Sequence, residues 1–392
     1  MTSLILNKQI APRISNGHPW IYANEIASNK GEIQGGDIVE VFYHNGKFCG
    51  KGYANPLSQI MVRLLTRNRQ EVIDGAFFHQ RILKAWNYRK KLGYTTNCRL
   101  VFGEADDLPA LIIDKFNDYL VIQTLSLGMD KWKTAIVEAL VSIFAPKGIY
   151  ERNDVPVREL EGLPQQKGFL YGCFDTDIMI EENGLHFSVD IANGQKTGYF
   201  LDQQDNRREI ASIVKGADVL GVFTYTGTFE VHAAHYGAKS VLGIDISEQA
   251  VGRANQNAAF NHLQDRCSFM CSNAFDTLKE WGKEGKQFDV VMLDPPAFTK
   301  SRTHIDKALT GYKEINLRGM KLLKDGGFLV SSSCTNLVTA QQFLQTIEAA
   351  AKDAHKKVRQ VTFRHQSGDH PIIWGMENTH YLKFLIAEIG NW

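Results

Sequence analysis

Residues 288–298 read Phe288-Asp289-Val290-Val291-Met292-Leu293-Asp294-Pro295-Pro296-Ala297-Phe298, and this stretch decides the fold. Four apolar residues run into Asp294, which reads as a strand buried on both faces, as in a parallel sheet. Neither proline can donate to a ladder, so pairing stops at the acid. Asp294 is therefore expected at the carboxyl end of a central strand, where open α/β sheets bind their ligands. Taken alone, Asp-Pro-Pro also fits a plain strand end closed by a turn.

The surrounding chain favours the first reading. From about residue 188 strands and helices alternate. Ala217–Phe223 is apolar and leads into Thr224-Tyr225-Thr226-Gly227, then a helical Glu230–Tyr236. Ser240–Ile246 is a second strand, and Ser247 is placed to cap a helix reaching about Phe260. Cys267–Cys271, the Asp294 strand and a strand ending at Ser333-Cys334 follow, then a helix over 337–351. Val358–Arg364 and His380–Glu388 are expected to close a doubly wound sheet.

Polar groups fall at four successive strand ends. Gly227 sits where the chain bends after the first strand, and Asp245 lies at the end of the second, where a carboxylate can accept both ribose hydroxyls. Asn273 is placed to read an adenine edge. The first turn, Gly221-Val222-Phe223-Thr224-Tyr225-Thr226-Gly227-Thr228-Phe229, lacks the G-x-G-x-x-G that cradles a pyrophosphate. An acid for the ribose without that cradle points to S-adenosylmethionine over a dinucleotide.

Ahead of this region, residues 1–72 read as a small β domain. Ile38–Tyr43 and Phe48–Tyr53 flank a hairpin turn at His44-Asn45-Gly46-Lys47, and Gln59–Leu65 gives a third strand. Residues 73–187 read as a compact α/β domain, with strands at Ala110–Lys115, Tyr119–Thr124 and Gly148–Arg152 and a helix at Asp130–Ser142. Val155–Gly168 reads as a loop. Ala76–Leu92 has helical spacing, with Arg81, Lys84, Arg89, Lys90 and Lys91 off its apolar face. Such a helix can face RNA through charge and stacking, or pack Phe78, Ile82, Leu83 and Trp86 into its own core.

The 392 residues carry a net charge of +1, with 44% hydrophobic and 22% charged residues, as in a soluble globular protein. Residues 1–100 hold 14 Lys/Arg against 6 Asp/Glu, so a basic end is expected to meet a polyanion. No secretory leader and no membrane-length apolar run is legible, and the six scattered cysteines suit a reducing cytoplasm. The pairs Cys267/Cys271 and His232/His235 lack partner pairs at zinc spacing, so no metal is expected. A homodimer stays open.

Gly17-His18-Pro19-Trp20-Ile21-Tyr22 and the strands after it resemble a PUA domain, an RNA-binding barrel. Asn193–Gln203 (NGQKTGYFLDQ), Phe223–Gly227, Asp294-Pro295-Pro296 and Ser333-Cys334 stand in an order that resembles one family. This is the class I S-adenosylmethionine-dependent RNA methyltransferases with an N-terminal PUA domain, and the chain is most similar to the bacterial 23S ribosomal RNA cytosine-C5 branch.

The resemblance implies an α/β chain: a small PUA-like β-barrel (1–72), a middle α/β domain (73–187) and a Rossmann-like, seven-stranded methyltransferase domain (188–392), its strands in order 3-2-1-4-5-7-6. It implies Cys334 as nucleophile with Asp294 beside it, acting on large-subunit ribosomal RNA to form 5-methylcytosine. The cofactor is expected among Tyr199, Phe200, Gln203, Phe223, Thr224, Tyr225, Thr226, Gly227, Asp245, Ile246, Asn273, Ala274 and Asp294. RNA is expected at His18, Trp20, Arg63, Arg81, Lys84 and Lys300.

The chain departs from the family pattern in places. Gly221 stands where Asp or Asn is usual, Thr228 where Gly is usual, and Gln204 where Arg is common. Ala297 follows Pro296, where two-cysteine members carry their second thiol. Two other outcomes stay open: transfer to guanine N7 or an exocyclic amine with Cys334 structural, and a silent RNA-binding assembly factor.

Overall fold

A computed structural model describes residues 2–299 and 301–391, so the expected role of Lys300 lies outside the described residues. The chain divides into two compact units: Met1–Ile178 with Val189–Leu201 and Gly368–Thr379, and Met179–Ser188 with Asp202–Ser367 and His380–Trp392.

The first unit holds two sheets. One is six-stranded, in the order Trp20–Ile21, Val62–Thr66, Phe48–Ala54, Ile38–Phe42, Ser3–Leu6, Ile26–Lys30. The expected hairpin is there: Ile38–Phe42 pairs antiparallel with Phe48–Ala54. The other is five-stranded, in the order Gln166–Tyr171, Gly148–Asn153, Tyr119–Thr124, Leu111–Phe116, Asn97–Phe102. Helices Gly75–Lys91 and Lys133–Phe144 pack with its apolar residues. The stretch read as a loop over 155–168 is more ordered than its Pro and Gly content suggests. It holds a 3-10 turn, Pro156–Glu161, and the start of the strand Gln166–Tyr171.

The second unit is a seven-stranded sheet. Its strands, in chain order, are β1 (Asp218–Val222), β2 (Ser240–Asp245), β3 (Cys267–Cys271), β4 (Phe288–Leu293), β5 (Leu323–Ser333), β6 (Lys356–Arg364) and β7 (Lys383–Asn391). They lie in the order β3-β2-β1-β4-β5-β7-β6, the order that the family resemblance implies. β1 to β5 are parallel, and β7 runs antiparallel to both β5 and β6.

Helices cover the sheet, and their ends follow from local chemistry. α1 (Thr228–His235) follows the β1 turn. α2 (Glu248–Phe260) starts where Ser247 accepts the Ala250 N–H, with Glu248 favourably placed at the positive end of the helix. α3 (Ala274–Glu284) is capped by Asn273 and stops at Gly285, whose φ is +72°. α4 (Ile305–Lys321) precedes β5, and α5 (Ala340–Asp353) begins with a Thr339/Gln342 capping box.

The core between helices and sheet contains Leu220, Val222, Val291, Leu293, Tyr312, Phe343 and Leu385. Each such side chain contributes about 1.5–3 kcal/mol on burial. Because β1 and β4 are buried on both faces, neither can slip register without losing this packing.

Phe269 of β3 sits over two glycines. A Cβ on Gly243 would lie 2.4 Å from its ring, and one on Gly227 2.6 Å. Gly243→Ala is expected to destabilise the fold by about 1–3 kcal/mol through overpacking. Adding Phe269→Leu should recover part of that loss, as read from urea-unfolding midpoints. Equal midpoints for Gly243→Ala and wild type would contradict the packing assigned to Phe269.

Candidate active site

After β1 the chain makes a turn, Phe223–Gly227, in which Phe223 (φ +64°), Tyr225 (φ +48°) and Gly227 (φ +75°) are all left-handed. Left-handed backbone is unfavourable for residues with a side chain, so something must hold this turn. Two backbone bonds do: the N–H groups of Phe223 and Thr224 donate to the Ile244 carbonyl at 2.9 and 3.2 Å. A third comes from Asp245 at the end of β2. One of its oxygens accepts the Tyr225 N–H at 2.9 Å and the other accepts the Ser247 N–H at 2.9 Å. Each carboxylate oxygen keeps a further lone pair for a ligand hydroxyl.

Beside Asp245, Ile246 is 71% exposed, an apolar surface next to a polar one. Asn273, at the end of β3, spends its side-chain oxygen capping α3, accepting the N–H groups of Phe275 (2.9 Å) and Asp276 (3.3 Å). Only its NH₂ is left to face a ligand. Ala274, next to it, is buried as the first residue of α3.

Asp294 follows β4 directly, and its N–H donates to the Val222 carbonyl at 3.3 Å. Its carboxylate accepts the Gln203 amide at 3.2 Å, and the same amide reaches Ser332 Oγ at 3.3 Å. Buried Gln203 thus ties the ends of β4 and β5 together. Its own oxygen is fixed by Asn206 at 2.7 Å.

Cys334 follows β5 and is half-buried, with Sγ 3.9 Å from the Pro295 carbonyl oxygen. The thiol and the Asp-Pro-Pro turn therefore meet. Lys383 on β7 pairs in register with Ser333. Its buried ammonium donates to the carbonyls of Thr335 (2.7 Å) and Tyr381 (2.8 Å). Burial pushes its pKa down to about 8, against a smaller upward pull from Cys334. Phe298 packs on buried Tyr312 with ring centres 4.6 Å apart, which fixes the segment after the prolines.

The fold brings Gln203, Phe223–Gly227, Asp245, Ile246, Asn273, Ala274, Asp294 and Cys334 into the second unit. Tyr199 and Phe200 belong to the first unit, where Lys196 lies 4.3 Å over the Phe200 ring. The basic residues assigned to RNA differ among themselves. Arg63 is buried and ion-paired with Glu161 at 2.8 Å. His18 is buried, its pKa lowered first by that burial, and accepts the Trp20 N–H at 3.2 Å. The Trp20 indole donates to Glu104 at 2.8 Å. Arg81 bridges Glu71 and Asp107, and among the described residues of this set only Lys84 is largely exposed, on Asp107 at 3.1 Å. Arg89 is fully buried against Asp106, although periodicity put it on the outer face.

Glu230 and Trp374 went unnoticed in the sequence. Trp374 is 95% exposed in the Gly368–Thr379 segment of the first unit. Its neighbours Ile372, Ile373 and Gly375 make it read as an ordinary apolar turn.

Comparison with known proteins fits this architecture. Residues 4–67 match a PUA-like domain model, and residues 168–369 match the model for S-adenosylmethionine-dependent methyltransferases. The chain belongs to the S-adenosylmethionine-dependent methyltransferase family. It is 42% identical over 378 residues to "Ribosomal RNA large subunit methyltransferase I" of Shewanella frigidimarina, with 95% of each chain covered. The protein of the same name from Alteromonas mediterranea is 39% identical over 378 residues, again with 95% of each covered.

Among solved structures it is similar to a Streptococcus mutans protein described as a candidate methyltransferase of this type. The TM-score is 0.83 at 21% identity, covering 99% of this chain and 100% of that one. Another methyltransferase candidate, solved with S-adenosylhomocysteine, gives 0.85 at 21% identity with the same coverage. No described helix is long and apolar enough to cross a membrane.

The enzyme's residues suit its cofactor. Thr224 Oγ1 and Glu230 Oε2 are buried polar atoms at the turn with no hydrogen-bond partner among the described residues. A ligand bearing donors and a positive charge would satisfy them.

Burial raises the Glu230 carboxyl to about 8 from an ordinary 4.5, with Asp294 and Asp245 adding to the rise. A raised acid stabilises the fold fully below about 4.5 and loses that contribution as pH climbs to about 8. Wild type should therefore lose stability across this window while Glu230→Gln does not. The variant's melting temperature minus that of wild type is expected to grow from pH 5 to pH 8. Scanning calorimetry at three pH values checks this, and a constant difference would refute it.

Proposed function

We propose that this enzyme methylates C5 of a cytosine in large-subunit ribosomal RNA, with Cys334 as the nucleophile. The observation that carries the reading is the meeting of Cys334 with the Asp294-Pro295-Pro296 turn, Sγ 3.9 Å from the Pro295 carbonyl. The names of the two relatives described above, both "Ribosomal RNA large subunit methyltransferase I", support the choice of RNA.

C5 of cytosine is a weak nucleophile, and adding a thiolate at C6 makes it enamine-like. Cys334 forms the S–C6 bond, and the ring electrons move towards C5 and N3. Asp294, held by Gln203, orients the base and in its protonated form donates a hydrogen bond to N3, where negative charge develops. Lys383 favours the thiolate form of Cys334 by its own positive charge. S-adenosylmethionine supplies the electrophilic methyl group when bound. With C5 methylated, a base takes the C5 proton, the S–C6 bond breaks and the thiolate returns. Asp245 and the Phe223–Gly227 turn would hold the nucleoside part of the cofactor, with Ile246 and the Asn273 amide available to its base.

We assign RNA contact to Lys84 and, by stacking, to Trp374. Residues 1–72 and 73–187 act as the binding modules for 188–392. A target base in folded RNA has to be unstacked to reach Cys334.

The test uses ribosomal RNA from cells lacking this gene, methyl-labelled cofactor and mass spectrometry of the nucleosides. Label is expected in 5-methylcytidine and is expected to disappear in Cys334→Ala, which should still bind S-adenosylhomocysteine. Label in a guanosine or adenosine, or undiminished label in the variant, would overturn the assignment. Trp374→Ala is expected to weaken RNA binding by about 1–3 kcal/mol, the worth of one stacked base. An unchanged dissociation constant in a filter-binding assay would remove Trp374 from the interface.

A further inference from the structure

Glu230 lies in the first turn of α1 and is 97% buried, being only 3% exposed. Its carboxylate covers Gly221: a Cβ on Gly221 would fall 1.9 Å from Oε1, 2.6 Å from Cδ and 2.7 Å from Cγ. The Glu230 side chain therefore fills the space that a side chain at position 221 would occupy, and position 221 has to be glycine for this reason. Gly221 pairs with Gly243 on β2 and Met292 on β4, two residues before the strand ends that carry Asp245 and Asp294.

Oε2 has no hydrogen-bond partner, and no Lys or Arg lies within ion-pair distance of Glu230 among the described residues. The titratable groups that act on it are Asp294 after β4, Asp245 of β2, Arg207 of the helix Gln204–Glu209, and Cys267 of β3. Arg207 is already taken by Glu182, at 2.5 and 2.7 Å. A buried carboxyl with an orphaned oxygen, facing two further carboxylates and no available cation, lacks a positive partner.

We propose that Glu230 is a cofactor-binding residue that receives the cationic amino-acid end of S-adenosylmethionine and gives its proton to solvent as the cofactor binds. The helix thereby supplies a carboxylate that the strand, with glycine at 221, does not. This inference rests on the chain using that cofactor and not on the choice of RNA atom. In the empty site burial, with the repulsion of Asp294 and Asp245 added, favours the protonated carboxyl. The arriving cation makes the ionised form the stable one.

Isothermal titration calorimetry at pH 7, in two buffers of different ionisation enthalpy, counts the protons released. Wild type should release more protons per bound S-adenosylmethionine than Glu230→Gln, by about half a proton or more, since the ligand's own amine titrates alike in both. Glu230→Gln should bind at least tenfold more weakly. A second variant, Gly221→Asp combined with Glu230→Ala, moves the carboxylate from helix to strand. It should recover binding relative to Glu230→Ala alone, a result that loss of folding cannot imitate.

S-adenosylhomocysteine, which keeps the ammonium but lacks the sulfonium, locates the contact. Equal weakening of both ligands in Glu230→Gln assigns it to the ammonium, and weakening of S-adenosylmethionine alone assigns it to the sulfonium. Proton counts and affinities matching wild type would overturn the proposal. Failure of wild type to bind either ligand would instead overturn the use of the cofactor.

Discussion

The Asp245 carboxylate is the interaction on which the site depends. It is bonded at once to Tyr225 in the β1 turn and to Ser247 at the start of α2. Left-handed Phe223 and Tyr225 each cost of order 1–3 kcal/mol. The Tyr225 bond to this carboxylate, at about 1.5–3 kcal/mol, together with the two backbone bonds to the Ile244 carbonyl, offsets a strain of that size. Without them the turn would relax to ordinary dihedrals, and Gly227 would no longer present the start of α1 to the strand ends. Gly227 itself is constrained twice, by its φ of +75° and by Phe269 and Ala254 within 3 Å of where a Cβ would stand. One carboxylate thus joins the backbone shape of the turn to the register of β1 and β2.

The sheet was legible because β1 and β4 are buried on both faces, and continuous apolar runs mark such strands without help from the fold. Edge strands were harder. Gln166–Tyr171 alternates between half-buried and exposed positions and carries Gly168, so it looks like a loop until its neighbour Gly148–Asn153 is known. α4 was missed for a different reason. Gly311 and Gly319 interrupt its helical pattern, and their value is tertiary. Gly319 leaves 3.0 Å between a would-be Cβ and Leu293, and Gly311 3.3 Å to Phe298, so the helix can lie close to β4 and the segment after it.

The strand-end residues were legible for the same reason as the strands, since a polar residue closing an apolar run has its position fixed by that run. Glu230 was not. An acid in the first turn of a helix normally complements the helix dipole from solvent, and only the placement of Gly221 beneath it reveals burial. The basic residues near the N-terminus show the opposite error. Composition counts Arg63 and Arg89 towards a polyanion surface, yet both are buried on carboxylates.

Buried charge in this chain comes in two kinds. Arg63–Glu161, Arg99–Asp114 and Arg207–Glu182 are closed pairs with both partners buried, the arrangement that makes an interior ion tolerable. Removing either member would strand the other, so these pairs hold the architecture and cannot change state. Glu230 and Lys383 have no ionic partner among the described residues, and both are driven to about 8 from opposite sides. Each is displaced far from its ordinary titration range, and each lies close to a strand end, Glu230 below Asp245 and Asp294, Lys383 across from Ser333. A group in that condition is poised to respond to an arriving charge of opposite sign. On the proposed reading, that charge comes with the cofactor for Glu230 and from a Cys334 thiolate for Lys383, which would divide the labour of the site between binding and chemistry.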